Sequence, residues 1–267
     1  MTVAMRYALK LAYDGTKFSG SQRQPKVRTV DGECIFVLKK IGAIKGPKES
    51  RYQSASRTDA GVSAIGNVIA FDTEMDEKAL LGAFNSDLRD AWAWAVAVVA
   101  EGFNARKAVR RWYRYLMPGS VDARRALVAA KLFEGRHDFK WFTRAKGDTV
   151  REIDSVRFTK DDDFLCFDVK GRSFLWGLVR RIVSCVMLYA AEEITLESIE
   201  RALAGKKNDF GLAPPEPLIL MDVDYNLGFE RVQSRKVKAD IESLLEGSSL
   251  ESARWSLVAR HTLSRST

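Results

Sequence analysis

The sequence predicts an α/β fold built as two halves. Segments that alternate apolar with polar or small residues, at the period of a strand, take turns with segments whose apolar residues recur at helical spacing. The succession is run through twice, once before residue 105 and once after it, which sets expected halves at 1–105 and 106–228. The 267 residues are 46% hydrophobic, the content of a folded chain long enough for two modest units. No short-period repeat or low-complexity stretch competes with that arrangement.

The elements follow in order. "RYALKLAYDG" (6–15) sets Tyr7, Leu9, Leu11 and Tyr13 against smaller or charged residues and stops at Asp14-Gly15, which predicts a half-buried strand running into a turn. Thr29 is placed to cap a helix, with Asp31 and Glu33 near its positive end, Cys34, Val37, Leu38 and Ile41 as its apolar stripe and Gly42 as its stop. "GNVIAFD" (66–72) and "WAVAVV" (94–99) predict strands, with "EKALLGAFNSDL" (77–88) as the helix between them. The second half gives a strand at "RRWYRYLMP" (110–118), a helix at "DARRALVAAKLFEG" (122–135), and a hairpin of "VREIDSVRFTK" (150–160) with "DFLCFDVKG" (163–171).

Helices then dominate. "FLWGLVRRIVSCVMLYAA" (174–191) is apolar nearly all round, which predicts a buried helix with Arg180 and Arg181 as its exceptions. "TLESIERALAG" (195–205) carries Thr195 as cap and Gly205 as stop, and "PLILMDVDY" (217–225) closes as a strand. From residue 229 the character changes. "VQSRKVKADIESLLEG" (232–247) and "LESARWSLVARH" (250–261) are charged and amphipathic, which predicts a helical extension, 229–267, packed on the second half.

Composition excludes several kinds of chemistry. His137 and His261 are the only histidines, so no zinc constellation of normal spacing can be assembled and a Ser-His-Asp triad has almost no candidate base. "AGKKND" (204–209) lacks the first glycine and the Ser/Thr of a phosphate loop. Cys34, Cys166 and Cys185 are odd in number and sit in apolar segments, as buried thiols do, so no disulfide framework is expected. No apolar stretch approaches the roughly 20 residues that span a bilayer, and the start "MTVAMRYALK" has no signal-peptide core, so a cytoplasmic protein without a membrane is expected.

The net charge and one segment point towards a nucleic acid. Forty-three Lys and Arg against 35 Asp and Glu give +8, a balance that favours a polyanionic partner. In the 110–118 segment Arg110, Arg111 and Arg114 interleave with Trp112, Tyr113 and Tyr115, mixing phosphate-binding charge with flat stacking surfaces, a combination that suits RNA. A strand with an aromatic face in the core and arginines outside would give the same pattern. A different signal lies in "SASRTDAGVSA" (54–64), where Arg57 and Asp59 are fenced by Ser, Ala and Gly. Small residues allow close backbone approach, and Gly61 permits angles that other residues avoid, so the loop is built to present one side chain. A surface turn with a solvated ion pair is the plainer alternative.

"YDGTKFSGSQRQ", "SRTDAGVSAIGNVIAFD", "FNARKAVRRWYRY", "GRHDF" and "LVRRIV", in that order over residues 6–228, resemble the TruA family of tRNA pseudouridine synthases. "RTDAGV" is the most specific block. The resemblance implies two RRM-like α/β halves joined around a central, mostly antiparallel sheet and a basic cleft. It implies a cofactor-independent, metal-free enzyme, usually a homodimer, that isomerises uridines 38 to 40 in the tRNA anticodon arm. On the same resemblance Asp59 is the catalytic aspartate, Arg57 its companion, Tyr113 the ring that stacks on the target base, Arg180 the helix arginine that pairs with the carboxylate, and Leu218 a wall of the uracil pocket. Ser21, Ser56 and Ser63 depart from the common bacterial pattern, and the chain looks more like the archaeal branch.

That chemistry wants one placed, ionised oxygen, whether it attacks the sugar carbon, attacks the ring or takes a sugar proton. An arginine fork such as Arg180 fixes a carboxylate's orientation. A uridine in a paired stem must leave its stack and be received between flat or apolar surfaces, which Tyr113 and Leu218 supply. His137 in "HDF" reads as a packing residue rather than a base. The rival from another class is a non-catalytic tRNA-binding or tRNA-folding protein on the same fold. Against it stands Asp59, because a pure binder gains nothing from a carboxylate facing phosphates. A hydrolytic glycosidase needs a second acid that no motif here suggests.

Overall fold

The computed structural model describes residues 4–161, 163–232, 234–244, 254 and 256. In chain order the elements are β1 (Met5–Tyr13), α1 (Val30–Lys40), β2 (Gln53–Ser54), β3 (Ser63–Thr73), α2 (Glu77–Asp87), β4 (Ala91–Val99), β5 (Arg110–Pro118) and α3 (Ala123–Lys131). They continue with β6 (Gly135–Asp138), β7 (Val150–Asp161), β8 (Phe164–Gly171), α4 (Leu178–Ala190), α5 (Leu196–Leu203), β9 (Leu218–Asp224), β10 (Glu230–Arg231) and α6 (Arg235–Leu244). The fold is mixed α/β with mostly antiparallel pairing, as expected. The described residues of Met1–Ala108 and Ile219–Thr267 form one compact unit, and those of Val109–Leu218 a second.

The first unit orders its strands β10-β4-β1-β3-β9, with β2 on β3. β1 is antiparallel to both neighbours, Leu9 facing Ile69 on one side and Val96 on the other. β9 joins in parallel, Ser63 opposite Ile219 and Ala64 opposite Leu220. β1 is not the half-buried strand expected, for it is covered on both faces. Its second face carries Ala8 and Ala12, which pack closely, and Arg6, which is buried and bonded to Asp72 at 2.7 Å. The Thr29 hydroxyl caps α1 by accepting the Gly32 N–H at 3.2 Å, and Cys34, Val37 and Leu38 are buried as the stripe predicts. Asp76 caps α2 in the same way through Lys78 and Ala79.

The second unit is an antiparallel sheet, β5-β8-β7-β6. β7 and β8 form the expected hairpin. β6 was not foreseen: "GRHD" has no apolar alternation, yet Gly135 to Asp138 pair with Ile153 to Val150. Behind the sheet Phe133, Phe139 and Phe142 are fully buried and meet edge to face, with Phe142 stacked on Phe210 at 5.5 Å. His137 is part of this packing, its ring Nε2–H donating to the Glu134 carbonyl at 2.8 Å. α4 begins at Leu178, four residues later than its apolar composition suggests. Gly177 takes φ +71°, a left-handed angle that no right-handed helix contains, and Phe174–Gly177 becomes a turn closed by Leu178 N–H to the Leu175 carbonyl. Trp176 is therefore exposed instead of buried.

The extension is a helix at α6, but it packs on the first unit, where Asp240 accepts the Trp92 indole N–H at 3.0 Å and Val237 is buried. β9 returns the chain to the first unit's sheet, and α6 follows it there. The second amphipathic piece, 250–261, lies outside the described residues except for Arg254 and Ser256, and His261 lies outside them too. All three cysteines are free and buried, and burial pushes the Cys34 and Cys185 thiols up.

Candidate active site

Residues 54–63 leave β2, turn, and enter β3. Their backbone is held on both flanks by the polar side chains of Asn67, Tyr13 and Ser21, of which sequence reasoning did not single out Asn67. Asn67, 2% exposed in the middle of β3, accepts the Ser56 N–H at 3.2 Å and donates to the Ser56 carbonyl at 3.0 Å. The same amide donates to the Tyr13 hydroxyl at 3.2 Å, and Tyr13 bonds the Thr58 hydroxyl at 2.9 Å. The Ser21 hydroxyl accepts the Thr58 N–H at 2.8 Å, and the Ser21 N–H donates to the Thr58 carbonyl at 3.0 Å.

Asp59 is half-buried and opens a turn whose carbonyl accepts the Val62 N–H at 3.1 Å. Gly61, at φ +85°, donates its N–H to the Gly15 carbonyl at 3.1 Å, and the Ser63 hydroxyl accepts the Gly15 N–H at the same distance. Gly15 passes so close that a Cβ there would lie 2.0 Å from the Val62 carbonyl oxygen. The loop is thus clamped from β1, β3 and the 14–21 turn, leaving one carboxylate and the exposed Arg57 to project from a fixed frame. Ser21, Ser56 and Ser63, the three departures from the bacterial pattern, are all part of that clamp. The signal for Asn67 was legible as the lone polar residue in "AIGNVIAF".

Asp31, in the first turn of α1, belongs to the same neighbourhood. It accepts from the Tyr52 hydroxyl at 3.0 Å, and its N–H donates to the Ser21 carbonyl at 2.9 Å. Burial pushes its carboxyl up to about 6, against the opposing pull of Tyr52, Ser54, Arg106 and Arg57.

The other expected site residues lie in the second unit. On β5, Tyr113 is 7% exposed and meets Phe174 edge-on at 5.2 Å. Because side chains alternate, Arg111 shares the face of Tyr113 and Tyr115 and is itself buried, bonding the Arg172 carbonyl. Arg110, Trp112 and Arg114 take the opposite face. Arg114 forks onto Asp168 at 2.9 and 2.8 Å, and the Trp112 indole N–H reaches the same carboxylate at 2.6 Å. Arg110 pairs with Asp154 at 3.0 Å near the surface. The simple division into aromatics inside and arginines outside therefore does not hold. On α4, Arg180 is half-buried and its Nε donates to the Ala213 carbonyl at 2.7 Å, which ties the helix to the segment leading into β9. Leu218, the first residue of β9, is buried, its N–H on the Pro215 carbonyl at 3.0 Å.

Comparison with known proteins fixes the class. A sequence model of tRNA pseudouridine synthases matches residues 129–226. The tRNA pseudouridine synthase A of Thermococcus sibiricus is 43% identical over 226 residues, covering 83% of this chain and 85% of the relative. Its counterpart in Pyrococcus furiosus is 42% identical over 233 residues, covering 85% and 86%. That of Methanosarcina acetivorans is 42% identical over 236 residues, covering 86% and 88%. By that kinship, with archaeal relatives, the chain belongs to the tRNA pseudouridine synthase A, or TruA, family. Among solved structures, a Cbf5-Nop10-Gar1 complex matches with a TM-score of 0.31 at 12% identity over 67% of this chain and 54% of that one, a likeness too slight to build on.

Proposed function

We propose that this chain isomerises uridine to pseudouridine in tRNA, with Asp59 as the catalytic carboxylate. The observation that carries the reading is the extent of the kinship. A match covering 83% of 267 residues leaves only about 45 outside it, so wherever it begins, the stretch from Asp59 to Leu218 falls within it. The relatives are named as synthases, and nothing among them supports the non-catalytic reading.

The reaction breaks the bond from N1 to C1′, turns the uracil while it stays captive, and joins C5 to C1′. N1 takes up a proton and C5 releases one, so atoms balance without an added reactant. A loop that fixes its backbone through Asn67, Ser21 and Gly15 supports the one thing Asp59 needs in any of its possible roles, a placed oxygen. Arg180 orients that carboxylate, Tyr113 and Leu218 receive the base, and Arg57 holds a phosphate or the space the base has left. Arg110, Arg111 and Arg114 contribute to tRNA binding.

The finer reading is that the targets are uridines 38 to 40 of the anticodon arm and that the enzyme is a cytoplasmic homodimer, which light scattering tests at roughly twice 30.0 kDa. Among the described residues no helix is long and apolar enough to cross a membrane. The deciding experiment incubates the protein with unmodified tRNA transcripts, without metal or cofactor, and maps pseudouridine at nucleotide resolution. Product confined to positions 38 to 40 supports the reading in full, product elsewhere corrects the target, and no product refutes it.

A further inference from the structure

Three segments of the second unit that the proposed chemistry leaves unused are tied into one surface. The Thr143 hydroxyl donates to the Trp176 carbonyl at 2.8 Å, joining 140–147 to the turn before α4. The Trp141 indole N–H donates to the Gly205 carbonyl at 2.8 Å, joining 140–147 to the loop after α5. That loop is held against α4 by Arg181 on Asp209 at 2.8 Å and by Ser184 on the Phe210 carbonyl at 2.6 Å. Its Leu212 reaches the turn itself, within 3.5 Å of where a Cβ on Gly177 would stand.

Composition makes the surface unusual. Trp176 is 59% exposed and Leu212 44%, which leaves a large ring and an aliphatic side chain facing solvent. In or beside the same three segments Lys140, Arg144, Lys146, Arg172, Lys206 and Lys207 are all exposed. The three segments hold one carboxylate, Asp209, and Arg181 already neutralises it. A protein-docking patch is depleted in lysine at its centre. An exposed indole carried by segments rich in exposed lysines and arginines suits a ligand with both phosphates and stackable bases.

We propose that this surface is a second tRNA contact, in which Trp176 stacks on an unpaired base while the surrounding cations hold the flanking phosphates. It rests on the reading that tRNA is the substrate. The turn carrying Trp176 runs directly into α4, and Arg180 sits four residues further on. Nucleotides engaged here would anchor the tRNA beside the helix that supplies the site arginine. The effect belongs to binding and not to the chemical step.

The test measures Kd for unmodified tRNA transcripts by filter retention across a salt series, with single-turnover isomerisation at saturating enzyme alongside. Trp176→Ala should weaken binding about five- to a hundredfold with its salt slope unchanged, because stacking and not charge is lost. Trp176→Phe should recover most of it. Lys206→Gln with Lys207→Gln should lower the slope of log Kd against log salt by about 1.5. All three variants should keep the wild-type saturated rate and thermal midpoint, since the altered side chains are exposed. Wild-type affinity and slope in Trp176→Ala and in the double lysine variant, from an enzyme that still isomerises tRNA, would overturn the inference and leave the functional reading standing. A Trp176→Ala variant that changes only the oligomeric mass would assign the patch to a subunit contact and overturn it likewise. A wild type that neither binds nor isomerises tRNA removes the functional reading, and this inference with it.

Discussion

Replacing Gly15 by alanine sets a Cβ 2.0 Å from the Val62 carbonyl oxygen and 2.2 Å from its carbon, where real side-chain carbons do not come within 3.0 Å. Both neighbours are backbone, so no rotamer change relieves the clash. One side must retreat by about 1 Å. The 13–15 segment is anchored by β1 pairing and by the Ser63 hydroxyl on the Gly15 N–H, so much of the movement falls on residues 59–62. Val62 N–H holds the Asp59 carbonyl, which passes the shift to the turn that presents the carboxylate. A reacting group misplaced by that distance costs on the order of a hundredfold in rate. The overpacking itself costs about 1 to 3 kcal/mol of stability. Single-turnover release of tritium from C5-labelled uridine should therefore fall about a hundredfold in Gly15→Ala, while tRNA affinity changes little because Gly15 is buried. Urea denaturation reports the stability loss separately. A variant that is less stable yet reacts at the wild-type rate would show that the clamp does not set the position of Asp59.

Three further predictions concern groups whose partners are now visible. Asp31 is held up to about 6 by burial, above its ordinary value, so its ionisation weakens the fold as pH rises from about 4 through 6. Asp31→Asn should be more stable than wild type above about pH 6, with the gap closing towards pH 4, as thermal midpoints across that range will read; a gap that widens on acidification reverses the sign and refutes the assignment. Arg110 pairs near the surface, so Arg110→Gln should cost under about 1 kcal/mol and flatten the salt dependence of tRNA binding. Arg114→Gln leaves the buried Asp168 carboxylate with the Trp112 indole N–H but no opposite charge and should cost about 3 kcal/mol in denaturation, so only the first variant reads phosphate contact cleanly. Identical salt slopes for Arg110→Gln and wild type would remove that residue from the tRNA contact.

Helix caps were the most legible part of the sequence, because a cap is a local event. Thr29 and Thr195 bond the N–H groups three residues on, as their positions before an apolar stripe require. The β5 strand and the β7–β8 hairpin were legible for the same reason, each written in a short run of alternation. What escaped was set by distant partners. β6 exists only because β7 offers it an edge. β1 is buried on both faces because two alanines and the ion-paired Arg6 replace the polar residues that solvent exposure would call for. The start of α4 turned on one glycine inside an apolar run, which composition alone cannot weigh against its neighbours. At the candidate site, Asp59 and Arg57 stood out by their isolation among small residues. The side chains that hold their loop come from β1, β3 and the 14–21 turn, positions tens of residues away in places, and only the fold brings them to it.

Asp59→Asn decides whether Asp59 performs chemistry or only shapes a loop. The substitution keeps the side chain's size and the backbone frame while withdrawing the ionised oxygen. Tritium release from C5 of labelled tRNA, read together with filter retention of the same tRNA, separates the two roles. Release should fall below detection with binding intact, or somewhat tighter once a negative charge near phosphates is gone. Substantial release by Asp59→Asn would contradict a chemical role for Asp59, and the catalytic carboxylate would have to be sought elsewhere in the chain.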